Sequence, residues 1–249
     1  MSTSAGSSWV YQLLRIFVHL LAASQFAYSV YFDWMYVVIP TNDPVTRYGG
    51  KLRYLTFLDA IIQAAFFTLC FVNDIFGSND LDPKPKPVLR KIKDYVQASL
   101  EFPLAMFVGI TFWALYAVDR ELVFPRILDD HFPNWLNHVL HTNIIGFAAL
   151  EMALSGRKYP SRKKGLTGLL VFMLFYLSWV MVIFNQTGRW VYPVLAVLDW
   201  TQKCLFFGLL LMLVMGLYLA GEFLNNVIWG HHLKQIQSPA KKQSRKKTK

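Results

Sequence analysis

Six apolar runs, each bounded by charge, divide the chain: Ile16–Phe32, Leu55–Val72, Phe102–Val118, Phe132–Leu150, Gly165–Gln186 and Cys204–Gly221. A helix needs about 20 apolar residues to cross a bilayer, with about 17 as the lower limit. All six runs meet this once their flanks are added. In hydrocarbon every backbone N–H and C=O must be satisfied within the segment, which selects helices. The expected fold is therefore all-α, a polytopic membrane protein built as a bundle of about six transmembrane helices. The helices are expected at roughly 10–32, 55–75, 97–118, 133–153, 166–186 and 203–226. No linker interrupts them, so 1–249 reads as a single domain. The basic stretch 238–249 lacks apolar side chains and is expected to be a disordered tail.

Composition agrees. Of the 249 residues, 55% are hydrophobic and only 16% are charged, against about 25% in soluble domains. A soluble chain of this length could not bury so much apolar surface. The first run is too poorly flanked for a cleaved signal peptide. Met1–Ser8 has no basic side chain, and no small-residue cleavage site follows the run. Both cysteines, Cys70 and Cys204, lie in apolar runs and read as buried small hydrophobes, not as a disulfide or a metal-binding cysteine cluster.

A net charge of +10 could suggest nucleic acid, but its placement argues for anionic lipid. Basic residues gather in loop two (Lys84, Lys86, Arg90, Lys91, Lys93), in loop four (Arg157, Lys158, Arg162, Lys163, Lys164) and in the tail beyond Lys234. The opposite side has only Arg47, Lys51, Arg53, Arg120, Arg126, Arg189 and Lys203. By the positive-inside rule this puts both termini in the cytosol and requires an even number of spans. Loop two carries Asp82-Pro83-Lys84-Pro85-Lys86-Pro87, which cannot continue a helix.

Polar groups within a membrane are costly and mark candidate sites. Thr56, Asp59 and Gln63 form a stripe on the second helix. Asn137, His138, His141, Thr142 and Asn143 crowd the fourth, and Glu222, Asn225 and Asn226 close the sixth. Thr56 and His141 lie roughly 3 and 9 Å into their helices from the same, non-cytosolic side, at about 1.5 Å per residue. A hydroxyl and an imidazole at nearby depth could meet. A Thr hydroxyl becomes a nucleophile when a base takes its proton, and His suits that role. Asp59 could orient the His, and Asn137 or Asn143 could donate to an oxyanion. His138 shares a face with His141 at i, i+3, yet no third metal ligand has suitable spacing. The blander reading gives the same Thr to a backbone carbonyl and the same His to a bond across helices. The aromatic clusters at Trp9, Trp34, Trp190, Tyr192, Trp200 and Trp229 read as mostly interfacial anchors.

Several stretches together resemble the androgen-induced protein family. They are Tyr48-Gly49-Gly50, Tyr54-Leu55-Thr56-Phe57-Leu58-Asp59, Trp135-Leu136-Asn137-His138-Val139-Leu140-His141-Thr142, Thr187-Gly188-Arg189-Trp190-Val191-Tyr192-Pro193 and Gly221-Glu222-Phe223-Leu224-Asn225-Asn226. The resemblance implies a multipass hydrolase of fatty acid esters of hydroxy fatty acids. It implies that Thr56 is the catalytic Thr and His141 the catalytic His. A membrane lipid is then the substrate, without nucleic acid, metal or organic cofactor, and protein partners stay open. The alternative is a non-catalytic lipid-binding membrane regulator. A small transporter is disfavoured because the polar residues cluster at the two ends of the spans. The ending Lys246-Lys247-Thr248-Lys249 is similar to a dilysine retrieval signal. The expected location is the endoplasmic reticulum, with the plasma membrane as a second site.

Overall fold

The structure is a computed structural model that describes residues 5–38 and 48–247, with side chains for 9–38 and 48–236. The expected disordered tail at 238–249 differs in its backbone, which continues the last helix as far as Lys247; its side chains, with the dilysine-like end and Arg47, lie outside the residues whose side chains are described. The elements are α1 (Ala5–Tyr36), α2 (Leu55–Phe76), α3 (Val88–Val96), α4 (Phe102–Val118), α5 (Asn134–His138), α6 (Ile144–Leu154), α7 (Arg162–Thr187), the short α8 (Pro193–Val197) and α9 (Trp200–Lys247). A π-turn, Gln97–Glu101, joins α3 to α4. A second, Val139–Asn143, joins α5 to α6. Among the described residues there is no strand. The protein is an all-α polytopic membrane protein.

Among the described residues five helices are long and apolar enough to cross a membrane: Trp9–Tyr36, Leu55–Phe76, Val88–Val118, Arg162–Thr187 and Trp200–Ile236. The remaining expected span is also a helix, running from 134 to 154 through its π-turn. Its first half carries Asn134, Asn137, His138, His141, Thr142 and Asn143, which is why its apolar character falls below that of the other five.

The third helix lies at the centre. In its most apolar window 61% of residues are buried, against 22% for α7 and 17% for α9. The outer faces of α7 and α9 present Phe175, Leu205, Leu209 and Met212, all strongly exposed and so left to lipid. Phe26, Phe66, Phe67 and Phe102 pack a second core among α1, α2, α4 and α6.

The third helix begins at Val88, well before the expected 97. Arg90 and Lys93, read from sequence as solvated loop charges, are therefore in a helix and buried. Arg157 is buried as well. Each has a carboxylate partner, which is how a charge survives inside a bundle: Arg90 meets Asp94 at 2.9 Å, Lys93 meets Glu151 at 3.4 Å and Arg157 meets Glu151 at 2.7 Å. Both cysteines are free; Cys70 is buried, but Cys204 faces outward on α9, contrary to expectation.

Candidate active site

The head of α2 sets the first half of the site. Tyr54 caps this helix with extended backbone and no side-chain bond. The cap comes instead from two distant tyrosines. The Leu55 N–H donates to Tyr176 Oη at 3.0 Å and to Tyr192 Oη at 2.9 Å. The two hydroxyls are 2.9 Å apart, and Tyr176 also donates to the Arg53 carbonyl at 2.9 Å. Burial pushes the Tyr192 hydroxyl up to about 12, so it stays a neutral donor at physiological pH. Thr56 follows as the second residue of the helix, in the positive end of its dipole.

The second half comes from the π-turn Val139–Asn143, which holds His141. Such turns are often found at functional sites because they displace a side chain from the regular helical register. His141 is 5% exposed. Its ring stacks on Phe112 with centroids 3.5 Å apart and planes 14° apart. Trp113 Nε1 donates to the His141 carbonyl at 3.2 Å. The close approach of α4 depends on Gly109, where a Cβ would lie 2.5 Å from Ile145 Cδ1 and 2.8 Å from the His141 carbonyl oxygen.

The two halves meet. Thr56 Oγ1 is 3.3 Å from His141 Nε2, and His141 Nδ1 is 3.0 Å from the Asn137 carbonyl. A carbonyl only accepts, so Nδ1 carries the proton and Nε2 presents its lone pair to the Thr56 hydroxyl. Both side chains line a cavity of about 330 Å³, within the range of about 300–1,000 Å³ usual for ligand sites. Its walls include Phe57, Phe112, Phe124, Leu140, Trp190 and Tyr192, with Asp33, Arg53 and Arg189. Trp190, expected as an interfacial anchor, is thus a wall of the cavity, held by Phe184 at 3.9 Å between centroids.

The other expected site residues are placed differently. Asp59 does not reach His141; its Oδ1 accepts from Gln63 Nε2 at 3.1 Å. The orienting acceptor is the Asn137 backbone instead. His138 does not join His141, because the π-turn breaks the regular i, i+3 register. It stacks on Trp113 at 5.7 Å and its Nδ1 lies 3.2 Å from Thr142 Oγ1. Asn143 donates to Gln25 at 3.5 Å, away from the pair. Asn225, one of the polar candidates closing the sixth run, is fully buried and clamps the backbone of Arg157, donating to its carbonyl at 2.8 Å. Tyr176, Phe112 and Gly109 were not selected from sequence, and Tyr192 was read as an interfacial anchor, because only their distant partners give them a role here.

Sequence reading also passed over a deeper polar cluster. At about 1.5 Å per residue, Asp74 lies about 27 Å beyond Thr56 along α2. His19 Nδ1 is 2.6 Å from Asp74 and His19 Nε2 is 2.6 Å from Glu151. Arg15 meets Asp74 at 3.0 Å. His19, Cys70 and Glu151 offer atoms within 4.8 Å of one another. Arg157, Lys93 and His19 already occupy the Glu151 carboxylate. The cluster is an ion-pair network tying α1, α2, α3 and α6.

The model of FAR-17a/AIG1-like proteins matches residues 14–226. The chain belongs to this family. It is 40% identical over 208 residues to the androgen-induced gene 1 protein of Homo sapiens, covering 81% of this chain and 86% of that protein. It is 31% identical over 228 residues to the androgen-dependent TFPI-regulating protein of Homo sapiens, covering 90% and 95%. A membrane protein of Schizosaccharomyces pombe is 26% identical over 202 residues, covering 76% and 80%. No solved structure matches this FAR-17a/AIG1-like chain significantly. The family match takes in both Thr56 and His141.

Proposed function

We propose that the protein is an intramembrane hydrolase of lipid esters, with Thr56 as nucleophile and His141 as general base. The observation that carries this reading is the 3.3 Å approach of Thr56 Oγ1 to His141 Nε2 in a cavity walled by apolar side chains. The distance is slightly beyond the usual 2.6–3.2 Å or so for a catalytic hydrogen bond, a looseness common before substrate binds.

His141 Nε2 takes the Thr56 proton as Oγ1 attacks the ester carbonyl carbon. The oxyanion develops near the N-terminus of α2, whose dipole favours negative charge. The tetrahedral intermediate collapses, the C–O bond to the alcohol breaks, and His141 returns the proton to the leaving alkoxide. Water then attacks the acyl-Thr56 carbonyl with His141 again as base, releasing the fatty acid and restoring the hydroxyl. The resemblance noted above points to fatty acid esters of hydroxy fatty acids as the substrate. The basic segments support cytosolic termini and the dilysine-like end supports the endoplasmic reticulum. On that orientation the site opens near the lumenal interface, where water is available.

A second reading is a lipid-binding regulator that does no chemistry. It is favoured by the name of the androgen-dependent TFPI-regulating proteins, which describes regulation. The two separate in one experiment. Wild type, Thr56→Ala and His141→Ala are expressed in membranes at matched levels, and hydrolysis of a palmitic acid–hydroxystearic acid ester is followed beside fluorophosphonate labelling. Hydrolysis by wild type alone upholds the Thr–His enzyme. Full activity of Thr56→Ala overturns it, and an inert wild type leaves the regulator.

A further inference from the structure

A second cavity of about 260 Å³ lies between α7 and α9. Leu55, Phe107, Val180, Phe206 and Leu210 are among its walls, and no charged side chain lines it. Tyr176 and Tyr192 are the lining residues with polar side chains, and their hydroxyls already serve Leu55 and Arg53. We infer that this cavity receives one acyl chain of the lipid ester whose carbonyl is presented to Thr56, an inference that rests on the hydrolase reading.

Three observations select that occupant. The cavity is apolar, and apolar cavities stay dry. It lies between the two least buried spans, and Leu174 in its wall is 47% exposed, so the medium beside it is hydrocarbon. At about 260 Å³ it is too small for a partner helix, which with its side chains is about 10–12 Å across, and is of the scale of a methylene chain. Adjacency to the candidate active site then distinguishes a substrate chain from any bilayer lipid. Leu55 lines this cavity and its neighbour Thr56 lines the first, while Tyr192 lines both. The nucleophile thus stands beside the partition between the two cavities, with the Tyr192 ring in the wall they share. An ester held at Thr56 can extend one arm past Tyr192 into the space between α7 and α9.

Gly208 makes the inference testable. It lines the cavity, and a Cβ built there meets nothing within 4 Å. Gly208→Leu therefore adds a bulky side chain at the cavity wall without a backbone clash and with better helix propensity than glycine. Gly216, further along α9, is equally open but lines neither cavity, so Gly216→Leu is the control. Full-length protein in phosphatidylcholine vesicles is assayed for kcat/KM on a palmitoyl and a butanoyl ester of one alcohol. The long-to-short ratio should fall at least tenfold in Gly208→Leu and hold in Gly216→Leu. In parallel, a palmitoyl ester with a terminal diazirine is photolysed on Thr56→Ala, which cannot turn it over, and labelled peptides are mapped. Labels on α7 and α9, competed by unlabelled ester and suppressed by adding Gly208→Leu, uphold the inference. An unchanged ratio in folded Gly208→Leu, or labels confined to the first cavity, overturns it. If wild type cleaves neither ester, the hydrolase reading falls, and the labelling alone decides: competed label between α7 and α9 upholds the chain site, and its absence overturns it.

Discussion

His141 Nε2 and Thr56 Oγ1 stand 3.3 Å apart across 85 residues of sequence. The approach depends on α2 beginning at Leu55 with its first N–H held by Tyr176 and Tyr192, and on the π-turn that carries His141 beneath Phe112. Remove either support and the hydroxyl and the imidazole lose a defined geometry.

The pair should fail as a unit. Thr56→Ala and His141→Ala are each expected to lower kcat/KM for lipid-ester hydrolysis by at least about 10²–10⁴-fold, the range typical of general-base catalysis. The double variant should be little worse than either single one, because residues that act together are strongly non-additive. Steady-state kinetics on the three proteins decide it; additive losses would mean that the two side chains act separately.

Asp59 offers the converse test. A carboxylate that orients a catalytic His costs about 10⁴-fold in kcat when changed to the amide. Here Asp59 bonds Gln63 and the Asn137 carbonyl holds His141. Asp59→Asn should retain activity within a few-fold, as should Asn137→Ala, which keeps the backbone carbonyl. A loss of several orders of magnitude in Asp59→Asn would restore the triad expected from sequence.

Gly109→Val should loosen the site through packing. The added atoms would collide with Ile145 and the His141 carbonyl, where even a Cβ lies within 2.8 Å. Overpacking of this kind costs about 1–3 kcal/mol. A lowered melting temperature in detergent together with reduced hydrolysis is expected, while an unchanged melting temperature would show that α4 can move aside freely.

Glu151→Ala should be among the most destabilising single changes. It leaves Arg157, Lys93 and His19 without their shared carboxylate in a fully buried position. Removing one partner of a buried ion pair costs about 3–5 kcal/mol. Thermal unfolding monitored in detergent should show the loss, and a variant as stable as wild type would mean that water reaches the cluster.

Much of the fold was legible because hydrocarbon imposes a length and forbids open backbone. Long apolar runs between charges therefore read directly as helices, and five of them meet that test in the structure. Less visible were charges that leave the loops. Arg90 and Lys93 look like loop residues after the proline–lysine stretch, yet α3 continues through them, because Asp94 and Glu151 on neighbouring turns and helices neutralise them. A carboxylate sixty residues away has no local signature.

The site divides in the same way. Sequence by itself determined which polar residues sit near one end of the spans, since helical rise converts position into depth; that made Thr56 and His141 candidates among several, and the family resemblance gave them their expected roles. Which of them touch is a matter of helix rotation and separation, and only the tertiary structure decided it. Gly109 lets α4 and the helix of His141 approach closely, the π-turn departs from regular helical register so that His138 and His141 part, and Asp59 turns to Gln63. These are outcomes of side-chain packing between helices distant in sequence, and periodicity within one helix carries no information about its partner's face.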